Sequence, residues 1–274
     1  MQSIETLFST AGKTALVTGG ATGIGRMVAE ALAAGGARVL IASRKAEICE
    51  ETAAEINAAG HPGTVEGFGG DVGSEEAIEA LGAAVEARTE RLHILVNNAG
   101  ISWGAPFEAF PHAQWQRVFN VNVAGLFTLT RRLMPRLKAA ATPEDPARIL
   151  NIGSVMGTVP VAEGAYSYTM SKAAVHHLTK VFAAEFAPHH ITANALAPGP
   201  FPSRMTAFAT GTEKGAAQVA ANVPLARIGT PEDIAGATLF LTSRAGAYVS
   251  GAILPIDGGM SVATPITLFE NVEP

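Results

Sequence analysis

A chain of 274 residues, 48% hydrophobic and 16% charged, carries enough apolar mass to bury one large core, and a single domain over residues 1–274 is expected. Its 19 Lys and Arg against 24 Asp and Glu leave a net charge of −5 with the cations scattered, which argues against a nucleic-acid or membrane partner and for a small molecule. One cysteine excludes an internal disulfide and fits a reducing cytoplasm.

The opening segment "MQSIETLFSTAGK" has no basic start followed by a long apolar run, so no signal peptide is expected. A first strand, "TALVT", runs into the turn "TGGATGIG", residues 18–25, and an Ala-rich helix from about Ile24. Gly19, Gly23 and Gly25 allow a tight turn that brings a phosphate against the free N–H groups at a helix start, where the macrodipole favours an anion. The residues that would form such a site are Thr18, Gly19, Gly23, Ile24 and Gly25; a tight turn with close helix packing is the plainer alternative. The spacing is GxxxGxG, not the GxGxxG fingerprint.

The second strand, "RVLIA", precedes a helix over about 45–59 in which Cys49 reads as a small buried apolar residue. An NAD site usually places an acidic residue after this strand, but here Ser43, Arg44 and Lys45 stand in "ASRKAE". Cations at a helix N-terminus oppose the dipole unless an anion lies nearby, and a 2′-phosphate would be one, so NADP(H) is favoured over NAD(H). Solvated surface side chains are the alternative. A third strand, "TVEGF", leads to "GGDV" and a helix over about 74–88; there Asp71, beside Val72, either accepts from an adenine amino group or caps the helix.

The fourth strand, "LHILV", enters "NNAG", where Asn98, Ala99 and Gly100 follow Asn97, and Asn122 lies in "NVNVAG". Just past the strand "RILNI", Ser154 in "NIGSVMG" could bond a substrate carbonyl or a developing alkoxide. A helix over about 165–187 opens with "YSYTMSK". Residues four apart share a helix face, so Tyr168 has Lys172 beside it and Tyr166 does not. A phenol near an ammonium has its pKa lowered and can trade a proton with a carbonyl oxygen. A Tyr packed by its ring with Lys passing it is the structural alternative. The histidines show no HExxH or similar spacing, and the adjacent pairs His176–His177 and His189–His190 diverge on a helix, so no metal site is expected. The strands "ITANAL" and "AILPI" close the series, with a helix start at "TPED", residues 230–233. Strands alternating with helices predict an α/β fold: a doubly wound, Rossmann-like parallel sheet of about seven strands with helices on both faces, and ligands at the carboxyl ends of the strands.

These motifs together resemble the short-chain dehydrogenase/reductases over nearly the full length. "TGGATGIG" is similar to their TGxxxGxG cofactor loop, "NNAG" to their fourth-strand motif, and Asn122, Ser154, Tyr168 and Lys172 to their catalytic tetrad. The resemblance implies Tyr168 as general acid/base, Lys172 lowering its pKa and holding the nicotinamide ribose, Ser154 positioning the carbonyl, and Asn122 supporting a water-mediated relay. "APGPFPS" is similar to the motif beside the nicotinamide, placing Pro198, Gly199 and Ser203 in the cofactor set, with Ser203 where the family usually has Thr. A homotetramer docking on the helices of Asn122 and Tyr168 and near "PIDGG" is also implied.

Among subfamilies the motifs are most similar to 3-ketoacyl reductases of the rhamnolipid-pathway type, which implies NADP(H)-dependent reduction of a 3-oxoacyl thioester or similar apolar ketone. Sugar and secondary-alcohol dehydrogenases share the same motifs. A dinucleotide-sensing regulator is the alternative from another class, but such sensors lose the YxxxK pair, which is intact here. The variable segment 200–226 offers Phe201, Met205, Phe208 and Val219 with three charges, Arg204, Glu213 and Lys214, and reads as a mostly apolar lid or an ordinary packing face.

Overall fold

The computed structural model describes residues 2–160, 164–203 and 205–263, so Arg204 of the lid lies outside the described residues. Seven strands, β1 (Thr14–Thr18), β2 (Arg38–Ser43), β3 (Thr64–Gly69), β4 (Ile94–Asn97), β5 (Ala147–Ile152), β6 (Ile191–Pro198) and β7 (Ile253–Ile256), form one parallel sheet in the order β3-β2-β1-β4-β5-β6-β7. The strand order reverses between β1 and β4, so a crevice opens there at the carboxyl edge.

The central strands read as near-continuous apolar runs because both of their faces are covered. Period-two alternation divides them between two cores. Ala15, Val17, Val39 and Ile41 face one cluster, and Leu16, Leu40 and Ala42 face the other. The helices are α1 (Ile4–Phe8), α2 (Gly23–Ala34), α3 (Ala46–Ala58), α4 (Glu75–Glu86), α5 (His112–Phe119), α6 (Leu126–Ala140), α7 (Tyr166–Phe186), α8 (Ala207–Thr210), α9 (Glu213–Ala220) and α10 (Pro231–Thr242). Val28 and Leu32 of α2 with Ile234 and Leu241 of α10 fill the first cluster. Ile78 and Leu81 of α4, Leu129 and Leu133 of α6 and Val175 and Phe182 of α7 fill the second.

At the start of α10 the Thr230 amide donates to Asp233 Oδ2 at 2.8 Å, and Pro231 takes the first helical position. The segment 200–226 contains α8 and α9, and of its two readings, lid or packing face, Phe201 takes the second, 2% exposed and packed in the first core cluster. Among the described residues no helix is long and apolar enough to cross a membrane, and no group of three or more His, Cys, Asp or Glu is placed to hold a metal ion.

Candidate active site

A cleft of about 730 Å³ runs along the carboxyl edge of the sheet. Of the catalytic and cofactor-set residues expected from the sequence, all line it except Gly25 and Asn122. At its β1 end the chain turns through Gly19 (φ +64) and Gly23 (φ +54), backbone conformations that favour glycine. Thr18 and Asn98 stitch β1 to β4 across the reversal. Thr18 Oγ1 accepts from the Asn98 and Ala99 amides, both at 3.1 Å, and Asn98 Nδ2 donates to Thr18 O at 2.8 Å. A Cβ on Gly25 would lie 2.3 Å from Gly19 O and 2.4 Å from Asn98 Nδ2, so this glycine permits the close approach of α2 to the turn. Thr22, the N-cap of α2, makes no side-chain cap bond, which leaves first-turn amides free for an anion. The bare glycine cradle and these donors fit the pyrophosphate of a dinucleotide.

Ser43, Arg44 and Asp71 line the next stretch of the cleft. Arg44 is exposed and makes no ion pair among the described residues. The Ser43 hydroxyl faces inward, donating to Lys45 O at 3.3 Å and lying 3.0 Å from Cys49 Sγ. Lys45 is the N-cap of α3 and stands off the cleft lining. Asp71 does not cap α4. Its Oδ1 accepts from the Val72 and Gly73 amides at 2.7 and 3.1 Å, and Ser74 is the cap, accepting from the Ala77 amide at 3.2 Å.

Ser154, Tyr168 and Lys172 converge at the other end of the cleft. The end of β5 delivers Ser154, and the first turns of α7 present the phenol and the ammonium on one face. Lys172 is 5% exposed, with Nζ donating to Ile152 O at 2.7 Å and lying 5.6 Å from the centre of the Tyr168 ring. Burial pushes the ammonium down to about 8. Burial also pushes the Tyr168 phenol above its ordinary value, and a hydrogen bond with Ser154 opposes this. Desolvation leads both shifts, and for the phenol it acts against the lowering expected from a neighbouring ammonium. Tyr166, two positions earlier, points into an aromatic cluster, edge-on to Phe107 at 5.8 Å and Phe110 at 5.4 Å.

Asn122 sits in a π-helical turn, Asn120–Gly125, a rare geometry often found at functional sites. Its amide clamps the loop after β4, accepting from Ile101 N and donating to Ile101 O, each at 2.9 Å, and its second hydrogen goes to Ser171 Oγ at 2.9 Å. Both side-chain hydrogens are thus engaged, one on the loop and one on α7. Ser203 is tied to Thr206, whose amide donates to Ser203 Oγ at 3.2 Å, and a Cβ on Gly23 would meet Ser203 Cβ at 3.1 Å. Ser203 therefore flanks the glycine turn.

Sequence reasoning passed over Trp103, Arg117 and Thr206, which also line the cleft. They lie in or beside irregular segments and short helices, where spacing carries no directional signal. Of the apolar residues of segment 200–226, Phe201 and Met205 line the cleft, whereas Phe208 is 93% exposed and lies away from it.

One turn beyond Lys172, His176 is buried, and desolvation together with the charges of Lys172 and Lys180 pushes its pKa down to about 4. The unfolded imidazole takes a proton as pH falls through about 6.5, while the folded one resists until about 4, so the unfolded state binds more protons in that window. Stability present above about pH 6.5 is expected to drop as pH falls toward 4, by up to on the order of 3 kcal/mol for this group. Urea unfolding at successive pH values, with His176→Gln lacking this share of the slope, checks it.

The family model described as enoyl-(acyl carrier protein) reductase matches residues 19–261. The rhamnolipids biosynthesis 3-oxoacyl-(acyl-carrier-protein) reductase of Pseudomonas aeruginosa is 44% identical over 252 residues, covering 92% of this chain and 97% of that protein. The gluconate 5-dehydrogenase of Gluconobacter oxydans is 35% identical over 257 residues, 94% of this chain and 98% of that one. Among solved structures, the Pseudomonas aeruginosa RhlG/NADP active-site complex superposes with a TM-score of 0.90 at 43% identity, over 94% of this chain and 99% of that one. A dinucleotide-type glycine turn at the strand reversal, a serine, tyrosine and lysine at the far end of the same cleft, and likeness along most of both chains together establish that the chain belongs to the short-chain dehydrogenase/reductase family.

Proposed function

We propose that the chain is an NADP(H)-dependent reductase that converts the carbonyl of a 3-oxoacyl thioester or similar apolar ketone to a secondary alcohol. The convergence of Ser154, Tyr168 and Lys172 on one end of the cleft carries this reading. A nicotinamide cofactor, when bound, supplies hydride to the carbonyl carbon. Tyr168 gives the proton that the carbonyl oxygen takes up, and the Ser154 hydroxyl bonds that oxygen and holds it toward the phenol. Lys172, largely charged at neutral pH with its pKa near 8, supports the negative charge left on Tyr168 until solvent restores the proton. Asn122 keeps the loop 98–101 in place beneath them.

The 3-oxoacyl substrate class rests on the Pseudomonas relative and on Trp103 and Met205, which give the cleft apolar walls. The gluconate relative supports a second reading, a sugar dehydrogenase. Initial rates of NADPH oxidation with a panel of 3-oxoacyl thioesters, cyclic ketones and keto-sugars separate the two. Fast turnover of the thioesters supports the first, and turnover confined to sugars replaces it with the second.

For the cofactor, the unpaired Arg44 is the group that meets a 2′-phosphate. Arg44→Asp is expected to lower the NADPH-to-NADH ratio of kcat/KM by roughly tenfold or more, about 1.4 kcal/mol. An unchanged ratio would make Arg44 a surface residue only. Homotetramer assembly is part of the same proposal, supported by exposed Phe127 and Met170 on α6 and α7 and a fully exposed Tyr248 before β7. Sedimentation equilibrium tests it.

A further inference from the structure

We propose that His176 is a positioning residue for the reaction: its imidazole, held neutral, fixes the main chain of Ser154 and so aims the serine hydroxyl at the substrate carbonyl. The ring enters the turn after β5 from α7, with Nε2 3.4 Å from the Ser154 amide and Nδ1 3.4 Å from Thr158 Oγ1. It is 7% exposed. The space it fills is made by two missing side chains. A Cβ on Gly153 would lie 2.3 Å from Nε2, and one on Gly157 would lie 2.7 Å from Cε1, so the residues before and after the serine turn are bare where the ring sits.

These contacts determine the tautomer. A backbone amide can only donate, so Nε2 must present its lone pair to the Ser154 N–H. Nδ1 then carries the proton and donates to the Thr158 hydroxyl oxygen. A doubly protonated ring would turn an N–H toward the Ser154 N–H and lose the contact. Burial and the facing ammonium groups of Lys172 and Lys180 keep the ring in its single-proton form. The Ser154 amide has no other partner among the described residues, and Ser154 O accepts from Gly157 N at 2.9 Å. The turn carrying the hydroxyl is thus held at its amide by His176 and at its carbonyl by Gly157. A loosened serine would still leave the glycine turn after β1, two strands away from β5, untouched.

The inference rests on the reading of Ser154 as the group that holds the carbonyl, so Ser154→Ala is measured beside the histidine variants, using the ketone the wild type reduces fastest. His176→Leu, which has no acceptor, is expected to lower kcat at least tenfold while the dissociation constant for NADPH, read by fluorescence, changes less than threefold. His176→Gln, whose carboxamide oxygen reaches the Nε2 position, is expected to keep kcat within threefold of wild type. A Leu variant within twofold of wild type, or a Gln variant that falls as far as Leu, overturns the assignment. If His176→Leu does not fold by circular dichroism, His176→Met takes its place with the same two outcomes. Full turnover in Ser154→Ala would instead sink the serine reading itself, and the histidine role with it.

Discussion

Tyr168→Phe is expected to lower kcat by about 10³-fold, within the 10²–10⁴ range for loss of a positioned proton donor, and to leave NADPH affinity within a few-fold of wild type. The substitution removes one oxygen and keeps the ring, so packing around α7 is preserved. The phenol sits above its ordinary pKa because it is buried, which keeps the proton on the oxygen at neutral pH, ready to be given. Tyr166→Phe is the matched control. That ring is engaged edge-on with Phe107 and Phe110, and its loss of a hydroxyl should leave turnover within about twofold. Stopped-flow loss of reduced-nicotinamide absorbance measures both. A Tyr168→Phe enzyme with wild-type turnover would remove the phenol from the mechanism.

Gly25→Val is expected to weaken NADPH binding about a hundredfold, about 2.8 kcal/mol, and to lower Tm by several degrees. The added carbon would fall 2.3 Å from Gly19 O, so the glycine turn itself must move, and that turn is what receives the phosphates. Gly236→Ala supplies the contrast. Gly236 lies on the exposed side of α10, a Cβ there meets nothing within 4 Å, and the swap should stabilise the fold by about 0.5–1 kcal/mol. Calorimetry of the folded proteins and cofactor titration distinguish the two. Tight NADPH binding by Gly25→Val would show that the turn tolerates displacement.

The parts of the site legible in the sequence were those governed by local geometry. Tyr168 and Lys172 share a face because helix periodicity puts them there, and Ser154 and the glycine turn sit at the carboxyl edge because each follows a buried strand. What depends on three-dimensional environment was not legible. The direction of the phenol's pKa is decided by burial, which no spacing reveals. Asp71 read equally as an adenine acceptor or as the cap of the next helix, and only the hydrogen bonds show that Ser74 is the cap. The apolar stretch of Phe201 read equally as lid or packing face, and only its burial decides for packing; Trp103 and Thr206 reach the cleft from segments whose direction is set by neighbours far away in sequence.

The His176 ring sits where Gly153 lacks a side chain, which couples those two positions, whereas Gly157 is also held bare by the α7 backbone. Gly153→Ala alone would drive its methyl into His176 Nε2, but once the ring is removed the nearest remaining contact is Leu196 O at 3.1 Å, which a small shift relieves. The energetic penalties of Gly153→Ala and His176→Ala are therefore strongly non-additive, the second change partly rescuing the first in a double-mutant cycle. Across a set of relatives, a side chain at the position of Gly153 should be found only beside a small residue at that of His176: a covariation produced by volume alone, between two positions 23 apart in sequence.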